Sequence, residues 1–376
     1  MSEFQNVAFR AIDGPVSEKN LKYMRQQSSR AEMTPWSFDN EYHHGDFGGN
    51  AQEMLRRGYD LHLHYANFGI RTLMIRLPNG FPEVKAAKPY FEKDSLQFLK
   101  DKQGPGGTLC IAPCHEPDDL ENLWEIGDLL DRLVPVRAEI LDGDLRPLYL
   151  AHLAIACDGE HDSEETTEAP VPAGLGKLTD AQCALAELYG LSDSLIAAAA
   201  RNCPPLAGQI DPGKHHTAWL ESQPEATKNA WLAQLVADPH SPVRRAILAE
   251  FQKTCVLSWP TVRLDRTIAE LQAAAEEIQN VANRKAASST ARRRAKKLAD
   301  MAADPMKTIR DIERLVVLRT ADAYRQVATL LVELREALGR TEQSGLADQQ
   351  ARRLKNENPT LRTLTSELRR HGFVPK

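Results

Sequence analysis

The stretch Asp60-Leu61-His62-Leu63-His64-Tyr65-Ala66-Asn67-Phe68-Gly69-Ile70-Arg71-Thr72-Leu73-Met74-Ile75-Arg76-Leu77-Pro78 decides the fold class. Leu61, Leu63 and Tyr65 alternate with His62 and His64, the period of a strand with one buried face. Asn67-Phe68-Gly69 then turns the chain, and Arg71 to Leu77 returns as a largely apolar strand stopped by Pro78. Two such runs around a short Gly-containing connection predict an antiparallel hairpin. Working outward, Phe4–Ile12 reads as a further strand closed by Asp13-Gly14-Pro15. Ser95–Leu99 and Thr108–Ala112 form a second hairpin candidate across Gln103–Gly107. Ser17 and Asn50 are placed to cap helices at Glu18–Gln27 and Ala51–Arg57. Arg30–Phe38 reads as a short extended piece broken by Pro35, and Gly45, Gly48 and Gly49 as a loop.

From Asp119 the apolar period lengthens. Leu120, Leu123, Trp124, Leu129, Leu130 and Leu133 recur at three and four, which predicts helix. Leu145–Cys157 follows as a second helix. Residues 158–176 are acidic, rich in Pro and Gly and poor in apolar side chains, so a linker is expected there. The remainder reads as helical, with one hairpin of the HEAT kind around Asp238-Pro239 in residues 177–258. A long helix over roughly Leu264–Ala302 opens the last region, 259–376. The expectation is an α+β chain: a small antiparallel-sheet N-terminal domain (1–157), the linker, then an all-α helical-hairpin region with one long basic helix.

With 376 residues the chain can bury more than one core. Its 47 basic and 52 acidic residues leave a net charge of −5, which argues against a general nucleic-acid coat. No run approaches a membrane span. Met1-Ser2-Glu3-Phe4-Gln5-Asn6 lacks a basic stretch followed by an apolar core, so no secretory leader is expected. Six cysteines scattered over this length suit reduced thiols in a cytoplasm better than a disulfide framework.

Several fragments carry a resemblance. They are Phe9-Arg10-Ala11 with Gly14-Pro15, Ser28-Ser29-Arg30-Ala31, Trp36-Ser37-Phe38-Asp39-Asn40-Glu41-Tyr42-His43 with Gly45-Asp46-Phe47, Leu73-Met74-Ile75-Arg76-Leu77-Pro78, Gly143-Asp144-Leu145-Arg146, and the tail Asn358-Pro359 to Gly372-Phe373. Together they resemble an uncharacterised bacterial family that joins a β-containing N-terminal part to a helical, charged C-terminal part. The resemblance implies architecture and a bacterial cytoplasmic setting, and no activity.

Asp60, His62 and His64 are the most chemical-looking string, because two imidazoles two residues apart on a strand point to one side and suit divalent metals. The competing reading makes them the polar face of a half-buried strand. Trp36, Tyr42, His43 and Asp46 are expected to converge on a hollow beside the Leu61–Leu77 hairpin, where a binding site would form with His62 and His64. Cys110, Cys114 and His115 hold too few ligands for structural zinc, and Cys110 reads as a buried thiol. There is no phosphate-binding glycine loop, so neither a nucleotide cofactor nor a bound metal is expected. Arg284, Lys285, Arg292, Arg293, Arg294, Lys296 and Lys297 make a basic patch on the long helix, free of acidic residues. An adaptor binding a protein partner is the expected function. The alternatives are a metal-assisted hydrolase using His62 and His64, and a nucleic-acid-associated factor using the helix over 284–297. No membrane partner is expected.

Overall fold

The extended stretches of the front half build one antiparallel seven-stranded sheet. Its strands are β1 (Gln5–Arg10), β2 (Glu32–Met33), β3 (Ser37–Tyr42), β4 (Leu61–Ala66), β5 (Arg71–Leu77), β6 (Leu96–Lys100) and β7 (Gly107–Ile111), in the order β2-β3-β1-β4-β5-β7-β6. The computed structural model describes residues 4–114, 126–157, 163–206, 212–238, 241, 243–254, 258–339 and 341–375. Both expected hairpins are present, with Leu63 opposite Leu73 in β4–β5 and Phe98 opposite Leu109 in β6–β7.

Period two sends alternate side chains to opposite faces. Ala8, Leu61, Leu63, Leu73, Ile75, Leu109 and Ile111 face the helices Ile126–Leu141 and Arg146–Ala156 and are buried with them. Val7, Phe9, Phe38 and Tyr42 face the other way, onto Leu21 and Met24 of the helix Glu18–Gln27 and Met54 and Leu55 of the helix Ala51–Arg56. Asn50 caps the second of these helices, its side chain accepting from Glu53 N at 2.9 Å.

β3 is a departure from the sequence reading, which left most of residues 30–47 irregular. Phe38, Asn40 and Tyr42 alternate inward along it, but only two of these three are apolar, so the period is faint in the sequence. The register with β1, Val7 against Asn40, supplies the order that local propensity does not.

The expected linker also differs where it is described, over 163–176. Ala169, Val171, Ala173 and Leu175 are buried. β8 (Val171–Pro172) pairs with β9 (Thr261–Val262), and Trp259 Nε1 donates to Ala173 O at 3.0 Å. Residues 158–162 of that stretch lie outside the described residues. Few apolar side chains suffice here because alternate ones all point inward.

The helices after it complete the core of the front half. Thr179 and Gln182 form a reciprocal capping box that starts the helix Asp180–Leu188. Arg71 Nη1 donates to Leu188 O at 2.6 Å, which ties this helix to the sheet. The helices Asp193–Ala200, Pro212–Ser222, Glu225–Ala237 and Val243–Thr254 follow, then the helix Ile268–Ala303. Contacts divide the chain into two compact units, Met1–Gln279 and Asn280–Lys376, so the division falls inside that last helix rather than at 158–176. In the second unit the helices Pro305–Val317, Ala321–Leu338, Leu346–Glu357 and Arg362–Arg370 enclose Ile312, Val327, Leu331, Leu334 and Leu368. No helix among the described residues is long and apolar enough to cross a membrane.

Candidate functional site

The residues singled out around 30–47 do not converge. β3 has six residues, about 20 Å of extended chain. Trp36 precedes it at the Arg10 end of β1, whereas Tyr42 ends it opposite Gln5. Trp36 is 48% exposed, Tyr42 is buried in the core, and His43 and Asp46 are exposed. A strand, not a loop, occupies the stretch, and its rigidity separates the two aromatics.

A smaller polar cluster does form. Gln5 Nε2 donates to Asp46 Oδ1 at 2.8 Å and lies 3.3 Å from Gly45 O. Its Oε1 therefore faces His64 Nε2 at 2.8 Å, and that nitrogen carries the hydrogen. Burial lowers the His64 pKa from its ordinary value against the opposing pull of Asp46.

His62 is fully enclosed. Its ring stacks on Phe9 with centroids 4.1 Å apart. Its Nδ1 lies 3.1 Å from Ala8 O, and a carbonyl can only accept, so Nδ1 is protonated and the neutral ring donates. Burial pushes its pKa down to about 3. The unfolded imidazole, near 6.5, takes up a proton that the folded one refuses. This stability is present above pH 6.5 and lost as pH falls toward 3. The stability advantage over His62→Gln should therefore shrink with falling pH, at up to about 1.4 kcal/mol per pH unit. Urea unfolding at a series of pH values measures it, and a flat difference would show that His62 titrates freely.

Among the described residues no group of three or more His, Cys, Asp or Glu side chains is arranged to hold a metal ion. Asp60, which begins the Asp-x-His-x-His string, is engaged elsewhere: its Oδ2 accepts from Ile12 N at 2.6 Å and Asp13 N at 3.0 Å. Cys110 is buried, and burial pushes its thiol up to about 11. His115 lies outside the described residues.

Asp60 instead belongs to a charged cluster that the sequence reading missed. Arg137 reaches from the helix Ile126–Leu141 to both oxygens of Asp13, at 3.0 and 2.6 Å, and to Asp60 at 3.3 Å. Arg244 adds a contact to Asp13 at 2.6 Å, and Arg76 pairs with Asp101 at 2.6 Å. A polar cleft of about 320 Å³ opens beside them, walled by Asn20, Arg56, Arg57 and Tyr59. Burial raises the Asp60 carboxyl while Arg137 opposes the rise. The charges answer one another, so the cluster joins strand ends to helix and leaves no charge demanding a ligand. Its members come from separate segments, which no local motif reveals.

The helix Glu225–Ala237 is different in kind. None of its residues is buried. Leu232, Leu235 and Val236 are 59, 43 and 85% exposed. At 100° per residue these three and Trp231 occupy an arc of about 140°. Trp231 stacks on Trp219 at 5.9 Å. Beside them lies an apolar hollow of about 300 Å³, lined by Trp219, Leu220, Leu235, Ile247, Leu248 and Phe251.

No family model, curated protein or solved structure matches this chain. The chemistry of its own surfaces therefore carries the functional argument. By sequence, Trp231, Leu232 and Leu235 belong to a HEAT-like hairpin. The two helices of that hairpin are present, but much of the apolar face faces outward. The one signal available was the lack of a second repeat to cover it.

The basic patch lies on the helix Ile268–Ala303, whose residues from Gln279 to Lys297 are all exposed. Arg294 Nη2 meets Glu336 at 2.7 Å and Lys297 Nζ meets Glu333 at 2.6 Å. Glu168, in the acidic stretch ahead of these helices, pairs with Arg266.

Proposed function

We propose that this protein is a non-enzymatic adaptor that holds a protein partner on the apolar face of Glu225–Ala237 and its neighbours. The observation that carries the reading is a 13-residue helix that buries none of its residues while exposing Leu232, Leu235 and Val236. A helix of that length is marginal in water without a buried face. Contiguous exposed apolar surface is also where soluble proteins meet partners. The hollow beside it suits a side-chain anchor from the partner, in the manner of interface hot spots. Cys110, Cys183 and Cys203 are free thiols, which fits a reducing, cytoplasmic setting.

The variant Leu232→Glu/Leu235→Glu tests the reading. Surface substitutions at exposed positions change stability by about 0.5 kcal/mol or less, so the thermal midpoint is expected to stay near that of the unaltered protein. Co-purification from the native host, quantified by mass spectrometry, is expected to lose a defined protein more than tenfold. An identical set of co-purifying proteins from both forms would overturn the adaptor.

A further inference from the structure

The seven cations of the long helix divide into two sets. Arg294 and Lys297 are paired with Glu336 and Glu333 of the helix Ala321–Leu338. Arg284, Lys285, Arg292, Arg293 and Lys296 are exposed and have no acidic partner among the described residues. Helical geometry separates the same two sets. With Arg284 at 0°, steps of 100° put Arg292 at about 80°, Lys285 at about 100°, Lys296 at about 120° and Arg293 at about 180°. Lys297 and Arg294 fall beyond them, at about 220° and 280°. The free cations therefore share one half of the helix, and the other half carries the internal pairs. From Arg284 to Lys296 the stripe is about 18 Å long at 1.5 Å per residue.

We infer that this stripe binds the phosphate backbone of duplex nucleic acid, without sequence preference. The surface is distinct from the apolar face assigned to a protein partner. Three observations support a polyphosphate. No acidic residue occurs between Glu277 and Asp300, so the positive potential is undiluted along the stripe. Between the cations stand only Ala286, Ala287, Ser288, Ser289, Thr290, Ala291 and the similarly short Ala295, which let the helix approach a surface closely. No aromatic side chain lies in that span, so bases have nothing to stack on. Single strands are held largely by such stacking, whereas the phosphate rows of a duplex are bound by cations without a stacking platform. On the other half Glu333 and Glu336 offset the charges of Lys297 and Arg294, which leaves the net positive potential on the five-cation half.

Fluorescence anisotropy with a labelled 20-base-pair duplex of mixed sequence tests the inference on the full-length protein. Each neutralised phosphate contributes a slope of about −0.9 to log Kobs against log salt, so five contacts predict about −4.5. The variant Arg284→Gln/Lys285→Gln/Arg292→Gln/Arg293→Gln/Lys296→Gln keeps helix propensity and is expected to bind at least tenfold more weakly in low salt. Circular dichroism checks that its helix content is unchanged. Replacing the three arginines of the stripe by Lys preserves charge and should retain binding. The control Arg294→Gln/Lys297→Gln removes only the internally paired cations and should change affinity less than threefold. Absence of duplex binding at low salt, equal loss per charge in the two Gln variants, or tighter binding to poly-glutamate or to anionic vesicles than to the duplex would each overturn it.

Discussion

Arg137→Ala is expected to destabilise the protein by about 3–5 kcal/mol, because it strips a buried charge cluster of its central cation. The Arg137 side chain is only 2% exposed. It holds Asp13 through two hydrogen bonds, touches Asp60, and donates from Nε to Arg76 O at 2.7 Å. Arg244 would still reach Asp13, but it is half exposed and leaves Asp60 without a cationic partner. The acid dependence of the loss is diagnostic. Burial already raises the Asp60 carboxyl, and removing Arg137 raises it further. A folded pKa above the unfolded value contributes stability present below the unfolded pKa and lost as pH rises. The deficit of Arg137→Ala should therefore be smallest below the ordinary carboxyl value of 3.8 and grow toward neutrality. Urea unfolding at acid and neutral pH measures both. The combination Asp13→Asn/Asp60→Asn/Arg137→Met should recover much of the loss, since it leaves no uncompensated charge. A deficit under about 1 kcal/mol at neutral pH would mean that solvent reaches the cluster.

Glu168→Ala should cost a similar amount, about 3–5 kcal/mol. Composition makes Glu168 look like one more acid in a solvated linker, where a substitution changes stability by about 0.5 kcal/mol at most. Its side chain is instead 1% exposed. Arg266 clasps it from Nε and Nη2, both at 2.9 Å, and the Tyr149 hydroxyl donates to it in a short hydrogen bond. Burial and the adjacent carboxylate push the Tyr149 phenol well above its ordinary value. Alanine would strand a largely buried guanidinium and an unpaired hydroxyl together. Glu168→Gln keeps an acceptor for Tyr149 and should lose less. Chemical denaturation of the two variants separates the readings, and a loss near zero for both would return 163–176 to the status of a linker.

The legible parts of this chain are those where one short window carries the physics. Period two over Leu61–Leu77 was enough for the β4–β5 hairpin, because each buried side chain has its partner across one turn. Asn50 caps its helix as expected, its side chain reaching a backbone amide three residues on, whereas Ser17 stands at the start of Glu18–Gln27 without a side-chain capping bond. The cations from Arg284 to Lys297 are a fact of composition, and so is the absence of acids among them. β3 was hidden because Asn40 faces inward beside Phe38 and Tyr42, which breaks the apolar alternation while the register with β1 supplies the order.

The amino-acid sequence by itself determined the α+β division, the hairpins, the helix capped by Asn50 and the existence of a basic helix. All of these rest on interactions between residues near in the chain. Tertiary structure alone decided that Asp60 joins Arg137 rather than His62, that Glu168 is buried, and that the Trp231–Val236 face points outward. It also decided which cations remain unpaired, because Glu333 and Glu336 lie 36 and 42 residues from Lys297 and Arg294. The reason is physical: burial and charge pairing depend on which distant segments share a volume, and a local sequence pattern carries no term for that distance.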